Sequence, residues 1–252
     1  MKRRELVLDG HVHCGTWTPD RVGWPSCSVA DVRAAQERCG IDGGVVFPTD
    51  VGDNEGLLAS LSADAGRFHF FAWIDPRRLD ETMAFLEREA SRVEGLKAHP
   101  SLAKRRIDDP AWRPFLDHAE RRRLPVIVHC GRWQEMSSWR YCLTAAEWHP
   151  EAVIILAHLG GDDVVIQDEC SREMMVRQLP NAYLGTESIR EYYSLRAALD
   201  RLGPEKILFG SDYPLTWPGA GLAVVEGAQV SEEERRLVRG ENLERLLRRR
   251  DS

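Results

Sequence analysis

The chain has 252 residues, 43% of them hydrophobic and 29% charged, and a formal net charge of -6. That length suits one large globular domain with a sizeable core, and the acidic balance excludes a protein built around a nucleic-acid backbone, which needs a basic face. The basic start Met1-Lys2-Arg3-Arg4 leads into an apolar run broken by Glu5 and Asp9, so neither a signal peptide nor a spanning helix is expected, and the expected location is cytoplasmic.

The first apolar run, Leu6 to Gly15, ends in His11-Val12-His13. On a strand, alternate side chains share a face, so the two imidazoles project together from its C-terminal end with Asp9 below them. A loop rich in Trp, Pro and Gly (16–28) precedes a helical pattern over Val29–Cys39, which Gly40 ends. Strand Gly43–Pro48, helix Asn54–Ala65, strand Phe68–Ile74 and helix Asp80–Ser91 follow. The alternation continues with strand Val93–His99, helix Asp109–Arg123, strand Pro125–His129, helix Ser137–Trp148 and strand Ala152–His158. It ends with a helix within Asp163–Gln178, strand Ala182–Thr186, helix Ile189–Leu202, strand Lys206–Gly210 and a last helix over Glu232–Arg249. Eight apolar strands alternating with eight amphipathic helices predict an α/β fold, a parallel sheet closed into a (β/α)8 TIM barrel as a single domain over 1–252. An open doubly wound sheet is the other architecture with this alternation, but no Gly-x-Gly-x-x-Gly turn follows the first strand. The arginine runs 121–123 and 248–250 fall at helix C-termini, where cations complement the dipole.

The six cysteines (14, 27, 39, 130, 142, 170) contain no Cys-x-x-Cys pair and read as reduced thiols. Cys14 and Cys130 each follow a histidine, which on a strand turns them to the opposite face, towards the helices.

Catalytic residues of such a barrel sit at the C-terminal ends of its strands. Strand one ends in His11 and His13, strand four in Lys97 and His99, strand five in His129, strand six in His158 and strand eight in Asp212. Five of the eight histidines therefore lie at strand ends, while His69, His118 and His149 read as structural or solvated. Only four of the 34 basic residues are lysine, so Lys97 does not reflect general composition. Three imidazoles and a carboxylate around one point suit one divalent ion, Zn2+ first, with Fe2+ or Mn2+ as alternatives. His11, His13 and His129 are assigned to the metal, Asp212 is ligand and general base, and His158 is the electrophilic or acid group.

The segments Asp9-Gly10-His11-Val12-His13, Gly95-Leu96-Lys97-Ala98-His99-Pro100, His129, Ala157-His158-Leu159-Gly160-Gly161 and Phe209-Gly210-Ser211-Asp212-Tyr213-Pro214 together resemble the amidohydrolase superfamily. The likeness is to its amidohydrolase-related branch, with the aminocarboxymuconate semialdehyde decarboxylase-like enzymes and dicarboxylate lactonases. The closing run 239–247 is similar to that branch as well. The resemblance implies a (β/α)8 barrel with one divalent metal, commonly zinc, on His11, His13, His129 and Asp212, and a catalytic His158. Lys97 also fits the carboxylated lysine with which the phosphotriesterase-like branch bridges two metals, but its Gly-x-Lys-x-His-Pro setting looks like the mononuclear branch. TatD-like nucleases share the first His-x-His yet carry glutamate on strand four.

The strand-end loops should carry specificity. Trp17 and Trp24, Arg132, Trp133 and Trp139, and Tyr213 and Trp217 occupy them. Aromatic walls with an arginine suit a planar substrate bearing a carboxylate, so Arg132, Lys97, His99, Trp17 and Trp217 are the expected substrate contacts. The expected activity is hydrolysis of a lactone, amide or ester carbonyl by metal-activated water. Non-oxidative decarboxylation of an aromatic or unsaturated acid uses the same ligands, and a metal-binding protein without turnover is the reading from another class. The expected partner is a small-molecule substrate, with no nucleic acid or membrane, and a homo-oligomer is compatible with the composition.

Overall fold

From Leu8 to Leu247 the chain repeats one pattern eight times: a short run buried almost throughout, then a helical segment packed on it. A strand buried on both faces belongs in a sheet covered on both faces, with helices outside and, in a barrel, side chains inside. The computed structural model describes residues 5–64, 66–131 and 133–251. Its strands are β1 Leu8–Cys14, β2 Gly43–Pro48, β3 Phe68–Ile74, β4 Gly95–Ala98, β5 Pro125–Val128, β6 Val153–Leu156, β7 Ala182–Gly185 and β8 Ile207–Leu208. They pair in parallel in chain order. The barrel closes beyond the two-residue β8: the Gly10 amide donates to the Phe209 carbonyl (2.8 Å), Asp212 to His11 (2.9 Å) and His13 to Tyr213 (2.8 Å). The predicted single (β/α)8 barrel is what forms.

Two apolar layers hold it. Outside, residues such as Val46, Phe70, Ala72, Val126 and Ile154 pack under the helices. Inside, Val45, Phe47, Phe71, Ile127, Ile155 and Leu208 fill the barrel, joined by Leu243 and Leu246 of helix Asn242–Leu247. Each such side chain contributes about 1.5–3 kcal/mol of burial. Gly95 is required here, because a Cβ on it would overlap the Phe71 ring that lies across β4. The inner layer forms the platform on which the strand-end groups stand.

The differences from the sequence-based expectation are local. Helix Pro218–Gly227 was not anticipated, since it opens Pro-Gly-Ala-Gly, two glycines in a first turn where they disfavour helix. The last helix is not continuous: Glu232–Arg236 passes through a π turn, Leu237–Glu241, before Asn242–Leu247. Gly240 in that turn lies so close to the Leu6 carbonyl that a side chain would collide with it. The expected helix Asn54–Ala65 ends as α-helix at Ser60 and continues as a 3-10 turn, Leu61–Asp64, with Ala65 outside the described residues. All six cysteines are free, and Cys14 and Cys130 pack in the outer apolar layer. Among the described residues no helix is long and apolar enough to cross a membrane.

Candidate active site

The barrel seam brings the first and last strands together at their C-terminal ends. Asp9 is buried in that seam and accepts hydrogen bonds from the Ser211 amide (2.8 Å), the Ser211 hydroxyl (2.6 Å) and the His11 amide (3.2 Å). Burial pushes its carboxyl up to about 7 against these bonds. The clamp fixes where Asp212, one residue beyond Ser211, meets the two histidines. Asp212 Oδ1 lies 3.3 Å from His13 Nε2 and 3.5 Å from His11 Nε2. Its Oδ2 accepts from the Ser188 hydroxyl at 2.6 Å. Asp212 has φ +68°, and His158 and Leu159 have +59° and +52°; such left-handed positions cost energy and collect at functional sites.

Sequence reasoning missed Glu187, which lies two residues beyond β7 and is buried. Its Oε1 is 2.5 Å from His11 Nδ1. The contact is short but falls outside the geometry of a directed hydrogen bond, which leaves His11 Nδ1 and Glu187 Oε2 without other partners. On the other side of His11, Lys97 Nζ stands 3.3 Å from Nε2 and 4.8 Å above the centre of the Phe47 ring. Lys97 is fully buried, and desolvation brings its ammonium down to about 8.

A second network joins the remaining histidines. The His158 Nδ1 contacts the Glu187 carbonyl at 2.9 Å, and His158 Nε2 contacts His129 Nδ1 at 3.1 Å. A carbonyl can only accept, so Nδ1 of His158 carries the proton and, in the neutral ring, Nε2 accepts from His129. That leaves His129 Nε2 as a bare lone pair. His129 also stacks on His99, with 3.9 Å between ring centres. Burial and the neighbouring basic groups hold both rings well below the usual imidazole range.

Of the predicted ligands, His11, His13 and Asp212 converge: one nitrogen or oxygen from each lies within 4.8 Å of the others. His129 stands beside His158 rather than in that trio. Donors bound about 2.0–2.2 Å from one tetrahedral ion are about 3.3–3.6 Å apart, a range that includes the spacings to Asp212. The charges agree as well. Burial pushes His11 down to about 4, a neutral ligand at pH 7. Burial opposes ionisation of Asp212, yet the His13 hydrogen bond and the adjacent imidazoles hold its carboxyl well below the usual range. Glu187, likewise opposed by burial, is held below its ordinary value by His11. Lys97 balances one of these two buried anions, so the pocket carries an excess negative charge that suits a cation.

A cleft of about 450 Å3 opens over His13, His99, His129, His158 and Asp212, walled by Trp17, Trp24, Trp73 and Trp133. The predicted contacts His99 and Trp17 line it. Lys97 and Trp217 are not among its lining residues: Lys97 lies in the layer beneath, and Trp217 packs against Arg38, 5.0 Å from its ring centre. Arg132 lies outside the described residues. Arg21, not anticipated, lines the cleft with its Nε 3.0 Å from Asp50 and its guanidinium over Trp24. A second pocket shares His158 and Ser188 with this cleft and is lined by Arg190. Two of the histidines read as structural have carboxylate partners away from the cleft, His69 with Glu94 (2.7 Å) and His149 with Glu120 (3.1 Å).

No curated protein matches the chain. Solved structures share its fold. One is a dihydroxybenzoic acid decarboxylase from Polaromonas sp. JS666 with manganese and the inhibitor 2-nitroresorcinol, 16% identical over 96% of this chain and 97% of that one, with TM-score 0.73. An amidohydrolase from Burkholderia multivorans with bound zinc is 17% identical over 96% of this chain and 99% of that one, with TM-score 0.74. A protein from Acinetobacter baumannii described as a 2-pyrone-4,6-dicarboxylic acid hydrolase, with citric acid bound, is 15% identical over 96% and 98%, with TM-score 0.71. A sequence model of the amidohydrolase family matches residues 9–249, from the buried Asp9 to the end of the closing helix, and the chain belongs to that family of enzymes.

Proposed function

We propose that the protein is a metal-dependent hydrolase that attacks a lactone, amide or ester carbonyl of a small carboxylate-bearing substrate. The observation that carries this reading is Asp212, an ionised carboxylate against His13 and His11 on the floor of an aromatic-walled cleft. His11, His13 and Asp212 would hold one divalent ion, zinc or else iron or manganese; His129, which stands outside that trio, would become a fourth donor only by moving towards it. When bound, the ion supplies Lewis acidity and lowers the pKa of a water to about 7. Asp212 Oδ1 is placed to take the proton of the attacking water. His158 Nε2 accepts in the resting network, so it can receive that same proton from Asp212 and pass it to the leaving group.

Lys97 stays an unmodified cation beside the Nε2 of His11, below the cleft, and does not reach the substrate. The tryptophans exclude water and sandwich a planar substrate, while Arg21 and Arg190, with Arg132, are the candidates for its carboxylate. The tryptophan walls also favour a second reading, decarboxylation of an aromatic acid, which is the activity named for the Polaromonas relative. In both readings the partner is a small molecule, with no nucleic acid or membrane involved, and the setting is cytoplasmic.

Product analysis separates the two. A panel of lactones, pyrone carboxylates and dihydroxybenzoates is incubated in H2 18O, and each product is scored for 18O and for CO2. One 18O per product without CO2 is expected; CO2 release without 18O overturns hydrolysis in favour of decarboxylation.

A further inference from the structure

We propose that Glu187 is a positioning residue for the cation site: its carboxylate sets the tautomer and aim of His11, and its own main-chain carbonyl does the same for His158. The proposal rests on the metal reading above for its consequence, though not for its geometry.

Both acceptors belong to one residue and both meet an Nδ1. Glu187 Oε1 lies 2.5 Å from His11 Nδ1, and the Glu187 carbonyl lies 2.9 Å from His158 Nδ1. Neither a carboxylate nor a carbonyl can donate, so each ring carries its proton at Nδ1 and accepts at Nε2, in His11 from Lys97 Nζ at 3.3 Å and in His158 from His129 at 3.1 Å; the His11 contact to Glu187 is close without being a directed hydrogen bond. For His11 this turns the lone pair towards Asp212 and His13. The opposite tautomer would point an N–H into the place where the three donors converge and leave Nδ1 facing a carboxylate lone pair to lone pair.

The fold makes room for this arrangement. A Cβ on Gly185 would overlap the Glu187 carboxylate, and one on Gly210 would come within 2.9 Å of the His11 Cβ and 3.5 Å of the Glu187 Cβ. Two bare strand ends, those of β7 and β8, thus form a cradle in which the Glu187 side chain folds back under His11. A surface-facing glutamate would need neither glycine.

The test is a metal-affinity cycle with a spectroscopic check. Zn2+ and Mn2+ affinities are measured by competition with a chromophoric chelator for the wild type, Glu187→Gln, His11→Ala and the double variant. Because glutamine keeps the shape and loses the charge, Glu187→Gln is expected to bind about 10–100-fold more weakly, the usual cost of removing a partner behind a metal-bound histidine. In the His11→Ala background the same change is expected to cost less than about twofold, since its route is gone. Affinity of Glu187→Gln within about twofold of wild type, or an equal loss in both backgrounds, overturns the proposal.

Long-range 15N–1H correlation spectra of the metal-free wild type judge the geometry even where a variant fails to fold. His11 and His158 are expected as Nδ1–H tautomers, and an Nε2–H signal for His11 overturns the assignment. A wild type that binds neither ion overturns the metal reading itself, and the tautomer spectrum still decides whether Glu187 positions the two rings.

Discussion

Changing Asp212 to Asn removes one charge from the converging trio and little else. The left-handed backbone at φ +68° is one that Asn tolerates as Asp does, and the Ser188 hydroxyl at 2.6 Å can accept from an amide where it now donates to Oδ2. The imidazole nitrogens lie 3.3 and 3.5 Å from Oδ1, so a cation they share sits within about 4 Å of the lost charge. At an effective dielectric near 20, a divalent ion and a unit charge at about 4 Å interact by about 8 kcal/mol, close to six decades in affinity. Desolvation offsets much of this, which leaves an expected loss of about 10²–10³-fold for Zn2+. The readouts are chelator competition and ion-linked melting. At a hundredfold excess over Kd, an ion stabilises the wild type by about 2.7 kcal/mol, or about 5–10 °C in a chain of this size. The variant is expected to melt normally without metal and to gain no more than about 1–2 °C at the same ion concentration. Binding within threefold of wild type, or an equal rise in Tm, would refute the placement of the cation against Asp212.

His158→Ala should lower kcat/KM by about 10²-fold or more while metal content stays at the wild-type level, because His158 acts on protons rather than on the ion; elemental analysis beside a turnover assay checks it. Trp17→Ala, which removes a cleft wall without touching the floor, should raise KM several-fold with a smaller change in kcat. Gly95→Ala should cost about 1–3 kcal/mol, seen as a Tm lower by several degrees, since the new methyl meets the Phe71 ring inside the barrel. Glu234 is held down to about 2 by its Arg196 hydrogen bond and by the Ser231 cap, against an ordinary 4.5. A depressed carboxylate stabilises fully above the unfolded value and loses that contribution as pH falls through the folded one. Glu234→Gln should therefore flatten the acid limb of stability between about pH 4.5 and 2, measured by urea unfolding across that range.

The barrel was legible because each strand is an apolar run with its own punctuation. β2 and β3, bounded by glycine and proline or by charged residues, fall where the sequence places them. Later strands are shorter than their apolar runs, because the chain bends away where a functional group must be presented: His158 ends the run of β6 but sits in a tight turn, Ala157–Gly160. Helix Pro218–Gly227 was not legible, since only Pro218, Gly221 and Val225 of it are buried and its exposed positions include apolar residues. Its packing comes from neighbours far along the chain, which local periodicity does not report.

Strand-end position identified the groups of the site but not their depth. Inward residues of a barrel stack in layers, and Lys97, read as a substrate contact, belongs to the layer below the cleft. That depth carries its own signal. A buried lysine needs a buried counter-charge, since an unpaired one costs several kcal/mol. Acidic residues follow three strands that have no other assigned group: Asp50 after β2, Asp75 after β3 and Glu187 after β7. Val45 and Phe47 point inward, so Asp50 has the wrong parity, and it pairs with Arg21. Phe71 points inward, which gives Asp75 the right parity, but Arg77 two residues on neutralises it. Tyr183 points inward, Glu187 keeps its parity, and no cation within two residues of it competes. Alternation and charge balance together single out Glu187 as a buried counter-charge for Lys97 beside Asp212, and a carboxylate at that depth also reaches the underside of His11.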